Sequence, residues 1–155
     1  MKCGPRTART NSTADVNVLD ASCLVGLLLG EPGQPDIVAA LTNECAMSVL
    51  NRAEVIDRIS RKGATVDDVA ADLDTLGITF IGLDLDTADR AASLRARHYH
   101  RTECPLSMAD CVALATALNT GATLATSDSH LATIARANNC AVLPVANSSG
   151  AYPAS

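Results

Sequence analysis

Five short runs rich in apolar and β-branched residues, VNVLD (16–20), ECAMSVL (44–50), ITFIGL (78–83), ATLAT (122–126) and CAVLPV (140–145), alternate with longer stretches whose apolar residues recur at helical spacing. This alternation restricts the fold more than any other feature of the chain. Strands separated by a helix-length connection are not joined as tight hairpins; they return to the same end of the sheet and pair in parallel. The expected architecture is therefore α/β, a three-layer α/β/α arrangement around a parallel central sheet of about five strands. Turn signals fall where helices should stop: GEPGQP (30–35) breaks the first helix, Lys62-Gly63 and Leu76-Gly77 close the next two, and Thr120-Gly121 closes the one after LSMAD.

A chain of 155 residues with 48% hydrophobic content suits one such domain with a substantial core. Residues 1–15, MKCGPRTARTNSTAD, are polar, slightly basic and aperiodic, and read as a flexible extension or a mis-assigned start; the domain is expected over 16–145, with a loose tail over 146–155. No apolar run approaches the roughly 18 residues that a membrane span needs, and the start has no apolar h-region. The expectation is a cytosolic protein with no membrane association. The six cysteines, Cys3, Cys23, Cys45, Cys104, Cys111 and Cys140, show no CxxC spacing and lie mostly in apolar segments, so they read as small buried hydrophobes rather than as a zinc site or disulfide framework.

The net charge of −5 is the wrong sign for a surface that binds nucleic acid through an excess of Lys and Arg. The charge is uneven. Arg90, Arg95, Arg97 and Arg101 share a segment with His98 and His100 that holds no acid, whereas Asp67, Asp68, Asp72 and Asp74 make an acidic helix. Both read as solvated faces, although Arg95, Arg97 and Arg101 are available to phosphates. Phe80, Tyr99 and Tyr152 are too few for a base-stacking platform, so any RNA contact must rely on phosphates, ions and shape.

Four acids stand at strand-to-helix junctions or early in helices: Asp20, Glu54, Asp110 and Asp128. Each has an ordinary explanation. Asp20 precedes ASCLVGLLL and Asp128 precedes SHLATIARA as helix N-caps; Glu54 stands four residues before Arg58; Ser107 and Asp110 form a capping box. Yet from Met108 to Leu118 only Asp110 and Thr116 are not apolar, so this helix should be buried nearly all round, and a carboxylate at its mouth needs a partner such as a cation. In open parallel sheets ligands sit beyond the carboxyl ends of the strands, where these acids are expected to converge. A set of hard oxygen donors without accompanying thiolate or His pairs selects Mg²⁺ or Mn²⁺ over zinc. Without an ion such acids repel and hold their protons more tightly.

Taken together, LDAS, NRAEV, LSMADCVALATAL and TSDSHL resemble the PIN-domain ribonucleases, most nearly the VapC-type toxins of bacterial toxin–antitoxin pairs, over about residues 16–145. The most specific part is the LSxxD helix start followed, after one helix and one strand, by T-x-D. The resemblance implies a parallel sheet flanked by helices and a Mg²⁺- or Mn²⁺-dependent endoribonuclease, the toxin of a type II system. Position by position it makes Asp20, Glu54, Asp110 and Asp128 the catalytic, metal-binding acids and Ser22 and Thr126 their hydrogen-bonding support. It further implies in-line attack by a metal-activated water leaving 5′-phosphate and 3′-hydroxyl ends. The partners implied are an RNA substrate, a cognate VapB-like antitoxin and a second copy in a homodimer. Two departures stand out: Leu131 occupies a position where many relatives carry an aromatic, and the N-terminal extension is unusual.

Other functions compete with this reading. A metal-independent ribonuclease would use His98, His100 or His130 as acid and base, but residues two apart on a helix face away from each other. A catalytically silent PIN-like interaction module is a further alternative. A receiver-like module lacks its lysine, since Lys2 and Lys62 are the only two, and a nucleotide-binding unit lacks a G-x-G-x-x-G after VNVLD. The apolar ASCLVGLLLG offers a groove for an antitoxin helix but reads more simply as a core helix.

Overall fold

All five β-rich runs form strands. The computed structural model describes residues 16–154; the expected extension 1–15, with Lys2 and Cys3, lies outside the described residues. In chain order the elements are β1 (Val16–Leu19), α1 (Ala21–Leu29), α2 (Gln34–Ala40), β2 (Glu44–Ser48), α3 (Val49–Ser60), α4 (Val66–Thr75), β3 (Thr79–Ile81), α5 (Leu85–His98), α6 (Met108–Thr120), β4 (Thr123–Thr126), α7 (Ser129–Ala137) and β5 (Val142–Pro144). The strands form one sheet in the order β3-β2-β1-β4-β5, and every neighbouring pair is parallel. Val18 sits at the centre, in register with Ala46 on one side and Leu124 on the other.

Strand residues alternate between two cores, as a period of two requires. Val18, Ala46 and Leu124 pack with Leu94 of α5, the run from Cys111 to Ala115 of α6, and Leu131 of α7. Leu19, Met47 and Ala125 pack on the opposite face with Leu24 of α1, Ile37 of α2, Val55 of α3 and Leu73 of α4. The strong preference for right-handed crossovers accounts for this division. Steps from β1 to β2 to β3 run one way across the sheet and put their helices on one face; the return to β4 and β5 runs the other way and fills the other face. The strand order therefore reverses between β1 and β4, and the crevice beyond their carboxyl ends is the place where such sheets accept ligands.

Local chemistry sets the element ends. Ser48 accepts a hydrogen bond from Asn51 N and starts α3, so Val49 and Leu50 form its first turn instead of extending β2, despite their β-branched or apolar character. Such a cap stabilises a helix by about 1 kcal/mol. Gly30 and Gly121 take left-handed conformations, φ 65° and 68°, and close α1 and α6 where side-chain-bearing residues would be strained. α6 is buried at every position from Cys111 to Ala117, and its alanines let it lie close to the sheet and α5. Helix α2 was not separable from the turn signal in GEPGQP. Its Pro35 stands in the first turn, where a missing N–H costs nothing.

The described cysteines are free; Cys23, Cys45, Cys111 and Cys140 are buried and Cys104 is half-buried. Burial pushes the Cys111 thiol up to about 11, which keeps it protonated and chemically quiet. No helix among the described residues is long and apolar enough to cross a membrane.

The segment after β5 makes hydrogen bonds to the domain. Ala146 N donates to Asp36 Oδ2 at 3.1 Å, Asn147 Oδ1 accepts from Ser149 N and Ala151 N, and the Arg136 guanidinium donates to Ala154 O. Gly33 makes this packing possible, because a Cβ there would overlap the Ala146 carbonyl oxygen and stand 2.7 Å from Val145 Cγ1. We expect Gly33→Ala to destabilise the protein by about 1–3 kcal/mol, as overpacking against backbone does, measured by denaturant unfolding; an unchanged midpoint would show that the tail is free to shift.

Candidate active site

The crevice at the β1/β4 reversal is built around Asp20. It follows β1 directly, caps α1, and is only 2% exposed. Its Oδ1 accepts from Ser22 Oγ at 2.5 Å and from Cys23 N at 3.2 Å, and its Oδ2 accepts from Thr126 Oγ1 at 2.5 Å. The two hydroxyls then extend the network across the crevice. Thr126 Oγ1 accepts from Asp128 N at 3.0 Å, while Ser22 Oγ accepts from Ser127 N at 3.2 Å and from Ser127 Oγ at 2.9 Å. Each hydroxyl has one proton; both protons go to Asp20, which leaves the hydroxyl lone pairs to hold the loop after β4.

Asp110 and Asp128 do have the capping roles that their sequence positions suggest. Asp110 Oδ2 accepts from Ser107 N at 2.7 Å while Ser107 Oγ accepts from Asp110 N at 3.0 Å, a complete capping box. Asp128 Oδ1 accepts from Leu131 N at 2.8 Å. Each cap engages one carboxylate oxygen and leaves the second outside the cap. Glu54, on the second turn of α3, also shows its expected ion pair, but a weak one: Arg58 Nη1 stands 3.7 Å from Oε1. An i,i+4 pair of this type stabilises a helix by only about 0.3–0.5 kcal/mol. Its other oxygen, Oε2, is buried with no hydrogen-bond partner among the described residues. Such an orphan is costly in a purely structural site.

Electrostatics tie the four acids together. Burial raises the pKa of Asp20, opposed by the Ser22 and Thr126 hydroxyls and reinforced by the charge of Asp110. Burial likewise raises Glu54, and the charges of Asp110 and Asp20 add to it while Arg58 opposes. For Asp110 burial is again the first cause, with the Ser107 capping bonds lowering and the charge of Asp128 raising. All four carboxylates thus act on a common field at the carboxyl end of the sheet. They are not drawn into a tight cage: among the described residues no three His, Cys, Asp or Glu side chains stand close enough to hold a metal ion as they are placed.

Several residues that shape the site carry no signal of their own in the sequence. Asn51 is fully buried in the first turn of α3; it accepts from the Ser48 hydroxyl and donates through Nδ2 to Ala109 O at 3.2 Å, linking the helix of Glu54 to that of Asp110. Ser127 locks onto Ser22, and Cys104 lies close enough for Asp128 and Asp110 to help burial raise its thiol pKa. Leu131 is fully buried in the core beside α6, so the aliphatic residue fills space beneath the site. The histidines are dispersed. His98 Nε2 stands 3.5 Å from Asn138 Nδ2, the His100 ring accepts from Glu103 N, and His130 is exposed on α7. Of the arginines of α5, Arg95 donates to Leu106 O and lies over the Tyr99 ring, and Arg97 donates to Ser93.

Residues 18–137 match the model of the PIN domain, and the chain belongs to that family. Among solved structures, it is similar to the sarcin-ricin-loop-cleaving toxin VapC20 of Mycobacterium tuberculosis, with a TM-score of 0.63 and 15% identity over 76% of this chain and 93% of that one. VapBC2 of Rickettsia felis, bound to a DNA fragment from its promoter, gives 0.60 and 16% over 83% of this chain and 97% of the other. FitAcB of Neisseria gonorrhoeae gives 0.59 and 21% over 82% and 96%. At these identities the likeness is one of fold. No curated protein matches the chain.

The raised carboxyl groups set a pH dependence. A group whose folded pKa lies above its unfolded value binds more protons in the fold, so stability falls as pH rises through the interval between the two. Removing the Glu54 charge should relieve that loss. In metal-free protein we expect Glu54→Gln to melt higher than wild type at pH 7, by up to about 3 °C, with the difference shrinking toward pH 4; a variant that melts lower at pH 7 would contradict the repulsion described here.

Proposed function

We propose that this chain is a Mg²⁺- or Mn²⁺-dependent endoribonuclease, the toxin of a type II toxin–antitoxin pair, with residues 16–145 as its nuclease unit. The observation that carries the proposal is the buried Asp20 carboxylate at the β1/β4 reversal, held by the Ser22 and Thr126 hydroxyls, with Glu54, Asp110 and Asp128 near enough for their charges to act on one another. The PIN-domain membership and the likeness to a toxin described as cleaving the sarcin-ricin loop support RNA as the substrate.

The residues fit a hard divalent cation by two criteria. The donor set is entirely carboxylate, and Glu54 Oε2 is a buried acceptor that nothing among the described residues satisfies. Asp110 and Asp128 each keep one carboxylate oxygen outside the helix cap, and these oxygens would be the further donors to such an ion. A divalent ion held there supplies Lewis acidity to the scissile phosphate and a water of lowered pKa. The protein's own part is positional. Ser22 and Thr126 fix the Asp20 carboxylate and the loop of Asp128, and the capping bonds fix Asp110 and Asp128 on their helices, so little reorganisation is needed on binding.

Membership of a toxin–antitoxin pair is supported by the company the fold keeps: similar chains were solved as a toxin–antitoxin complex from Klebsiella pneumoniae and as VapBC-1 from Haemophilus influenzae. The proposal includes a cognate VapB-like antitoxin, a homodimeric state and action in the cytosol. Helix α1 is mostly buried, which leaves Leu29 at its end, 40% exposed, rather than the whole helix for an antitoxin.

With purified protein and total RNA, cleavage should require Mg²⁺ or Mn²⁺, stop with chelator and return with Mn²⁺, and leave 5′-phosphate ends. Asp110→Asn should reduce the rate by at least about 100-fold; equal activity of the variant, or cleavage that persists in chelator and leaves cyclic phosphates, would overturn the assignment. Thr126→Val removes one hydroxyl without changing shape and should weaken Mn²⁺ binding about 10- to 100-fold, as loss of a ligand-orienting hydrogen bond does, by calorimetric titration. Unchanged affinity would place Thr126 outside the metal's support.

A further inference from the structure

No other described residue combines the three properties of Arg58. Its guanidinium is the cation beside the acids, 3.7 Å from Glu54 Oε1, and its positive charge acts on Asp110 as well as on Glu54. Among the described residues it makes no hydrogen bond, a property it shares with Arg90 and Arg101, whereas Arg52, Arg61, Arg95, Arg97 and Arg136 each donate to a carboxylate, hydroxyl or carbonyl oxygen. Its side chain is 40% exposed, so it borders solvent rather than the core. The backbone explains its aim. Helical side chains lean toward the helix N-terminus, and α3 starts at the carboxyl end of β2, so Arg58 leans back along the helix to Glu54, on the side of the crevice.

An arginine that only stabilised α3 would be expected to form a close, forked pair with its carboxylate, as Arg61 does with Asp57 at 2.7 Å. Arg58 stays at a distance, with a planar set of donors unspent. A chain of net charge −5 that acts on a polyanion also needs a cation at the point of contact.

We propose that Arg58 is a substrate-contacting residue of this site, its guanidinium holding a non-bridging oxygen of an RNA phosphodiester beside the acid cluster. The inference rests on the nuclease reading above. In the metal-free protein Arg58 partly neutralises Glu54. With Glu54 engaged by a divalent ion, the guanidinium fork of Arg58 would be free for the phosphate.

The test compares wild type with Arg58→Gln and Arg58→Lys, and with Arg61→Gln as a control whose guanidinium is engaged away from the crevice. Three quantities are read: Mn²⁺ affinity without RNA, binding of a labelled mixed-sequence single-stranded RNA as a function of salt, and the KM and kcat of Mn²⁺-dependent cleavage. Arg58→Gln should bind the RNA about 10-fold more weakly with a salt slope reduced by about 0.7, the value for one phosphate contact on a single strand. Its KM should rise accordingly, Arg58→Lys should recover part of the loss, and Mn²⁺ affinity should be unchanged or tighter because a competing cation has gone. An unchanged salt slope and KM, or weakened Mn²⁺ binding in Arg58→Gln, would overturn the proposal while leaving the nuclease reading intact. A wild-type protein that binds Mn²⁺ yet neither binds nor cuts RNA would overturn both.

Discussion

A carboxylate buried at the end of the central strand governs this structure. Asp20 is nearly inaccessible to water, and among the described residues two short hydroxyl bonds and one backbone N–H offset the cost of keeping it there. Those same hydroxyls fix the loop after β4, so the charge that is hardest to bury also sets the geometry around it. The sheet order makes this location inevitable. With β1 between β2 and β4, the residue that follows β1 must face the crevice where the strand order reverses.

The acids of the proposed site also serve the fold. Asp20, Asp110 and Asp128 each cap a helix, which satisfies backbone donors that would otherwise be left open. Capping also directs each carboxylate toward the carboxyl end of the sheet, since that is where the helices begin. Glu54 differs, with no cap to make and, among the described residues, a buried oxygen without a partner, as Ser60 Oγ also has. A buried charged group left in that state is a place where function is expected to show.

Much of this was legible in the sequence because it is local. The alternation of β-rich and helical stretches gives the layers, and a small polar residue before an apolar helical run marks Asp20, Ser107 and Asp128 as starts. Val49 and Leu50 belong both to a β-rich run and to a helical stretch, and the Ser48 cap decides for the helix, while Pro35 reads as a break although it stands in the first turn of α2. What could not be read is what joins distant segments. The bond from Thr126 to Asp20 spans residues 106 apart, and that from Asn51 to Ala109 spans 58, and neither leaves a pattern in either segment. The sparse contacts of Arg58 are equally invisible, because its spacing from Glu54 predicts an ordinary surface pair. Nor does any motif announce the contacts of Gly33 and Asp36 with the segment after β5.

The most direct test of the central assignment is a crystal structure of the protein with Mn²⁺, with the ion located by its anomalous scattering. A peak beyond the carboxyl ends of β1 and β4, within about 2.0–2.2 Å of oxygens from Asp20 and at least one of Glu54, Asp110 and Asp128, is the expected result. Crystals grown in saturating Mn²⁺ with no ion at those carboxylates, or with the ion bound only elsewhere, would contradict it.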